Sequence, residues 1–96
     1  MEEKIKMIAE HYGLKKQLNH TMQECGELIA AISRRLDNPC IKEYQDNLLE
    51  EIADVKNMLM QLEILTGEKR RIERIQVEKI ERQIGRIKAE RGTYEK

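Results

Sequence analysis

The chain has 96 residues, 18 basic and 18 acidic, with three Tyr and no Phe or Trp. A length of this order supports one domain, residues 1–96, and a net charge of zero argues against nonspecific nucleic-acid binding as its main task. A core confined to Leu, Ile and Met is small for a lone chain of this size, so self-association is expected.

Period-2 alternation is absent and Gly and Pro fall at a few breaks, which predicts an all-α chain of four helices. The first, residues 2–12, carries Ile5, Ile8 and Tyr12 on one side and stops at Gly13. The second spans 14–36. At 100° per residue its Leu18, Met22, Cys25, Ile29, Ile32 and Leu36 form one narrow apolar stripe, with Glu24 and Glu27 on the shoulder and Arg34 pointing away. Asn38-Pro39 reads as an N-cap followed by proline at the first helical position, which starts the third helix near Pro39 and carries it to residue 66. There Glu51 shares an arc with Leu48, Val55, Met58, Leu59 and Leu62 and points toward a partner helix, whereas Glu50 points to solvent. Gly67 interrupts the pattern, and residues 68–91 resume it with Ile72, Ile75, Ile80, Ile84 and Ile87 as far as Gly92 and a polar tail.

No run approaches the roughly 20 apolar residues that span a bilayer, and MEEKIK lacks the apolar core of a signal peptide, so a cytoplasmic location with no membrane partner is expected. Cys25 and Cys40 form no zinc-type pair, and Cys25 reads as a core residue. His11 and His20 are on different helical faces and read as ordinary polar residues.

The candidates for chemistry are four acids. Glu24/Glu27 and Glu51/Asp54 are two i, i+3 pairs, and on a helix each pair projects its oxygens in nearly one direction. Folding the second and third helices into an antiparallel hairpin puts both pairs roughly 20 Å from the turn, at 1.5 Å per residue. An ionised Glu51 pointing inward costs several kcal/mol unless something positive offsets it, and a divalent cation is one candidate. Residues 1–65 hold 8 basic and 12 acidic groups and residues 66–96 hold 10 and 6, so an acidic centre meets a basic tail. That asymmetry suits a metal-bridged polyphosphate and equally a dimer seam laced with salt bridges. Three long apolar stripes exceed what one hairpin can cover, so the expected fold is a hairpin with flanking helices, assembling into a four-helix-bundle-type homodimer or homotetramer.

The order QLNHTMQECGELIAAI and then NLLEEIADVKNMLMQL resembles the MazG-like members of the all-alpha nucleoside triphosphate pyrophosphohydrolases, whose pattern is E-x-x-E, a spacer and E-x-x-D. The spacer between Glu27 and Glu51 is 23 residues; IKMIAEHYGLKKQL looks like the start of small phage-type members, and KIERQIGRI resembles the basic last helix. The resemblance implies that Glu24, Glu27, Glu51 and Asp54 are the catalytic Mg²⁺ ligands. It further implies a nucleoside or deoxynucleoside triphosphate cleaved to the monophosphate and pyrophosphate, as in nucleotide-pool house-cleaning. Lys79 and Arg82 match the start of a K-x-x-R-R pattern that contacts phosphates, with Gln83 in place of its second arginine. Their other reading is pairing with Glu78 or Glu81 on a solvated face. A base could draw on Tyr12, Tyr44 and Tyr94, and its identity stays open. A noncatalytic helical interaction module would account for the charge and the Ile-rich last helix, and would leave the inward Glu51 unexplained.

Overall fold

The computed structural model describes residues 1–95, and the side chains of residues 1–92, as four helices: α1 (Glu2–Tyr12), α2 (Leu14–Asp37), α3 (Lys42–Thr66) and α4 (Lys69–Glu95). No strand occurs among the described residues. None of the helices is long and apolar enough to cross a membrane.

Gly13 alone joins α1 to α2. Its N–H donates to the Ala9 carbonyl at 2.8 Å and its carbonyl accepts from the Gln17 N–H at 3.1 Å, so one residue closes a helix and opens the next. That requires φ +85°, which glycine adopts without a steric cost. Gly67 ends α3 in the left-handed region at φ +68°.

The α2–α3 junction departs from the sequence expectation. Asn38 does not cap α3; its backbone N–H and its side-chain amide both donate to the Arg34 carbonyl, at 3.0 and 3.2 Å, closing α2 at Asp37. Proline disfavours helical backbone in the residue before it, so Asn38 leaves the helix there. The third helix begins at Lys42 rather than Pro39, behind an extended Ile41, and Gln45 Nε2 donates back to the Pro39 carbonyl at 2.7 Å. At the other end, α4 passes through Gly92 to Glu95. One interior glycine costs about 1 kcal/mol, too little to stop a helix flanked by good helix formers.

α2 packs chiefly on α3. Gln17 donates to Gln61 at 2.6 Å and Arg34 to Asn47 at 3.0 Å, so α3 partners fall in number as α2 residues rise. α1 lies against both helices through Ile5 and Ala9. Among the described residues the buried apolar side chains are only Ile5, Ala9, Ala31, Val55 and Met58.

The stripe Leu18, Met22, Cys25, Ile29, Ile32, Leu36 is not the face that α2 turns inward. Met22 and Ile29 are each 67% exposed and Leu36 is 72% exposed, while Cys25 is half-buried. The covered positions are instead Gln17, Thr21, Glu24, Leu28, Ala31 and Arg35, a mostly polar row one side over. This polar interior is largely satisfied: besides the Gln17–Gln61 bond, Thr21 Oγ1 donates to the Gln17 carbonyl at 2.6 Å. α2 therefore spends its acid-bearing face within the chain and leaves its apolar face uncovered.

Candidate metal centre

α2 carries Glu24 into its covered row, and α3 presents Glu51 and Asp54 one turn apart opposite it. One carboxylate oxygen from each of the three lies within 4.8 Å of the others. Glu24 and Glu51 are half-buried and Asp54 is exposed. The 23-residue spacer is what aligns them, because it takes the chain out along α2 and back along α3 by similar lengths.

Two oxygens of the cluster lack donors. Glu24 Oε2 and Glu51 Oε2 are buried with no hydrogen-bond partner, and they are the only such side-chain atoms among the described residues. Buried polar atoms are ordinarily paired, and an ionised oxygen is costlier to leave unpaired than a neutral one. Among the described residues no Lys or Arg forms an ion pair with Glu24, Glu27, Glu51 or Asp54. Burial raises the Glu51 pKa above its ordinary value, and the charges of Glu27, Asp54, Glu24 and Glu50 push it the same way. Converging carboxylates of Glu24, Glu51 and Asp54, the first two each with a buried unpaired oxygen, fit a hard divalent cation, which prefers oxygen ligands.

Glu27, the fourth predicted acid, is exposed and stands outside the three-residue group, although its charge is the largest of those acting on Glu51. Lys79 and Arg82 are not brought to the acids by any hydrogen bond or ion pair, and they do not pair with Glu78 or Glu81 either. Lys79 borders a cleft between the end of α3 and the start of α4, with Leu59, Leu62, Ile72 and Ile75. With Arg82 and Arg86 it also forms a basic row on α4.

His20, read from the sequence as an ordinary polar residue, lies 3.0 Å from Glu24 Oε1 through Nε2. Its spacing of four residues ahead of Glu24 was the available signal. It also edges a cleft of about 430 Å³ between α1, α2 and α3, bordered by Ile8, Tyr12, Gln17, Gln23 and Gln61. Of the predicted aromatics, Tyr12 borders this cleft, Tyr44 is half-buried on α3, and the Tyr94 side chain lies outside those described.

Comparison of the chain with protein-family models, curated proteins and solved structures gives no match.

Proposed function

We propose that this chain is a cytoplasmic Mg²⁺-dependent nucleoside triphosphate pyrophosphohydrolase, cleaving a nucleoside or deoxynucleoside triphosphate between its α and β phosphorus atoms. The observation that carries the reading is the pair of buried, unpartnered oxygens of Glu24 and Glu51, on two different helices, with Asp54 in reach. Glu24, Glu51 and Asp54 would hold the cation, and Glu27, one turn from Glu24, would join them from the rim. Bound there, Mg²⁺ would supply charge neutralisation for phosphate oxygens and activation of a water for in-line attack. The cleft beside His20 has the volume of a small-ligand site, and Tyr12 is the aromatic residue that borders it. Lys79 and Arg82, exposed and without ion-pair partners, are available to phosphate oxygens.

The proposal includes a homodimer or homotetramer built on an antiparallel α2–α3 hairpin. Support comes from the uncovered stripe: Leu18, Met22, Cys25, Ile29, Ile32 and Leu36 are spaced 4, 3, 4, 3 and 4 residues apart, the rhythm of a helix–helix seam. α3 adds Ile52 and Leu59, both exposed and seven residues apart, with half-buried Leu48 one turn before them. The α1-side cleft takes the opposite flank, bordered by Lys16, His20 and Gln23 of α2. A two-helix-wide apolar face remains, of the shape a second hairpin would cover as a four-helix bundle. Gly26 sits next to this seam, and apart from its own helix backbone and chain neighbours no described atom lies within 4 Å of where a Cβ would stand.

A panel of the common nucleoside triphosphates with Mg²⁺, scored for pyrophosphate release, tests the activity. A second reading, a noncatalytic helical interaction module, is favoured by Val77, Ile80, Ile84 and Ile87, a ridge along α4 left exposed among the described residues. Pyrophosphate release from any substrate of the panel, lost in Glu51→Gln, dismisses it; a folded protein inert toward all of them favours it.

A further inference from the structure

We infer that His20 is a positioning residue that holds Glu24 with one oxygen turned out to the imidazole and the other turned in to the carboxylate centre. The inference rests on the reading of Glu24, Glu51 and Asp54 as a cation site.

The two oxygens of Glu24 have different surroundings. Oε1 is 3.0 Å from His20 Nε2, whereas Oε2 is buried without a partner, and a Glu24 carboxylate oxygen lies within 4.8 Å of one each from Glu51 and Asp54. An ionised carboxylate only accepts hydrogen bonds, so Nε2 carries the hydrogen and donates it. The glutamate side chain is 15% exposed and the histidine 48% exposed, so the bond spans the boundary between the centre and solvent.

A glutamate has three rotatable side-chain bonds, and the alternative for Glu24 is to swing toward water, where its charge is solvated and the repulsion from Glu51 is relieved. Glu27, one turn further on and with no hydrogen bond of its own, is exposed. The donor from His20 offsets the preference for the outward rotamer, because hydrogen bonding to one oxygen fixes where the second one points. Outer partners of this kind orient metal ligands, and their loss typically weakens metal binding by about 10- to 100-fold. A merely structural i, i+4 pair on a helix surface would act differently: it would add slightly to helix stability and leave cation affinity alone.

The experiment is calorimetric titration of the full chain with Mg²⁺, and with Mn²⁺ as a second oxygen-preferring ion, for the parent, His20→Ala, His20→Gln and Glu51→Gln. Metal-free melting is recorded for each. His20→Ala is expected to weaken both ions about tenfold, the lower end of the range for outer partners, with the metal-free melting temperature almost unmoved. His20→Gln, whose amide N–H can donate to the same oxygen, is expected to recover most of that affinity. Parent-like affinity in His20→Ala, alongside Glu51→Gln that no longer binds, overturns the role of His20 and leaves the cation site standing. Affinity lost in His20→Ala and not recovered in His20→Gln overturns it too, because the role requires only a donor at that place. A folded parent that takes up neither ion overturns the cation reading itself, and this inference with it.

Discussion

Glu51 is where burial and charge oppose each other most directly. Its carboxyl is raised above the ordinary value of 4.5 by desolvation and by the surrounding acids. A carboxyl raised in the folded state favours folding below the unfolded value and loses that contribution as pH climbs through the folded one. In the metal-free protein, Glu51→Gln is therefore expected to melt above the parent at pH 7, with the gap closing as pH falls toward 4.5. Melting curves in the presence of a chelator, at several pH values, measure this; a gap independent of pH would place the Glu51 carboxylate in solvent. The same variant should lose pyrophosphate release altogether. Lys79→Ala and Arg82→Ala make a contrasting pair. A charge-assisted phosphate contact is worth about 1.5 to 3 kcal/mol, roughly ten- to a hundredfold in kcat/KM, against about 0.3 to 0.5 kcal/mol for an exposed helix pair. Each variant should thus lose turnover and keep its melting temperature. Parent rates in both would make the basic row a solvent or subunit face. The direction of Glu51 was legible in the sequence because its helical arc is otherwise apolar. The bond from His20 to Glu24 was less so, because an exposed His–Glu pair four residues apart gains meaning only once the far oxygen of the glutamate is seen to be buried.

Among the elements, the helices were readable from period and punctuation, and the errors fall where one local signal competes with another. Asn38-Pro39 serves as a helix stop, although the same dipeptide is also a common start; the choice depends on whether the asparagine amide meets the carbonyl behind it or the N–H groups ahead. The α2 stripe shows a deeper limit. Amphipathic periodicity identifies which face must be covered and is silent on whether the cover comes from the same chain. Gly13 offers an element-level test. At φ +85°, ψ 168° it occupies a region nearly closed to side chains, so Gly13→Ala should destabilise the fold by about 1 to 3 kcal/mol. Urea denaturation measures this, and a neutral result would mean that the α1–α2 joint relaxes to another geometry without penalty.

For the whole molecule, the balance of burial is unusual. No large side chain among the described residues is fully buried, whereas a row of Leu, Met and Ile on α2 faces outward. A lone chain so arranged is marginal, and in the proposed assembly its stability would depend on its concentration. Light scattering should report a mass that is a multiple of 11.4 kDa, and the melting temperature should rise with protein concentration. Ile29→Asp, which places a charge in the middle of the exposed seam, should abolish the concentration dependence and yield a monomeric or unfolded chain. A parent that remains at 11.4 kDa at micromolar concentration would sink the assembly.

From Glu73 to Arg91 every residue of α4 is exposed, and the helix is held near its start, where it packs on α3 and Lys69 pairs with Glu2 of α1 at 3.8 Å. Beyond Lys79, where the α3 cleft ends, the helix has little to rely on but its own backbone bonds, and a short solitary helix in water is marginal. A trypsin-like protease recognises extended basic sites, of which Arg82, Arg86, Lys88 and Arg91 supply a ladder. Brief digestion should therefore trim the distal half of α4 before it touches α2 or α3. Any partner that shelters that half will announce itself as a delay in the first cut.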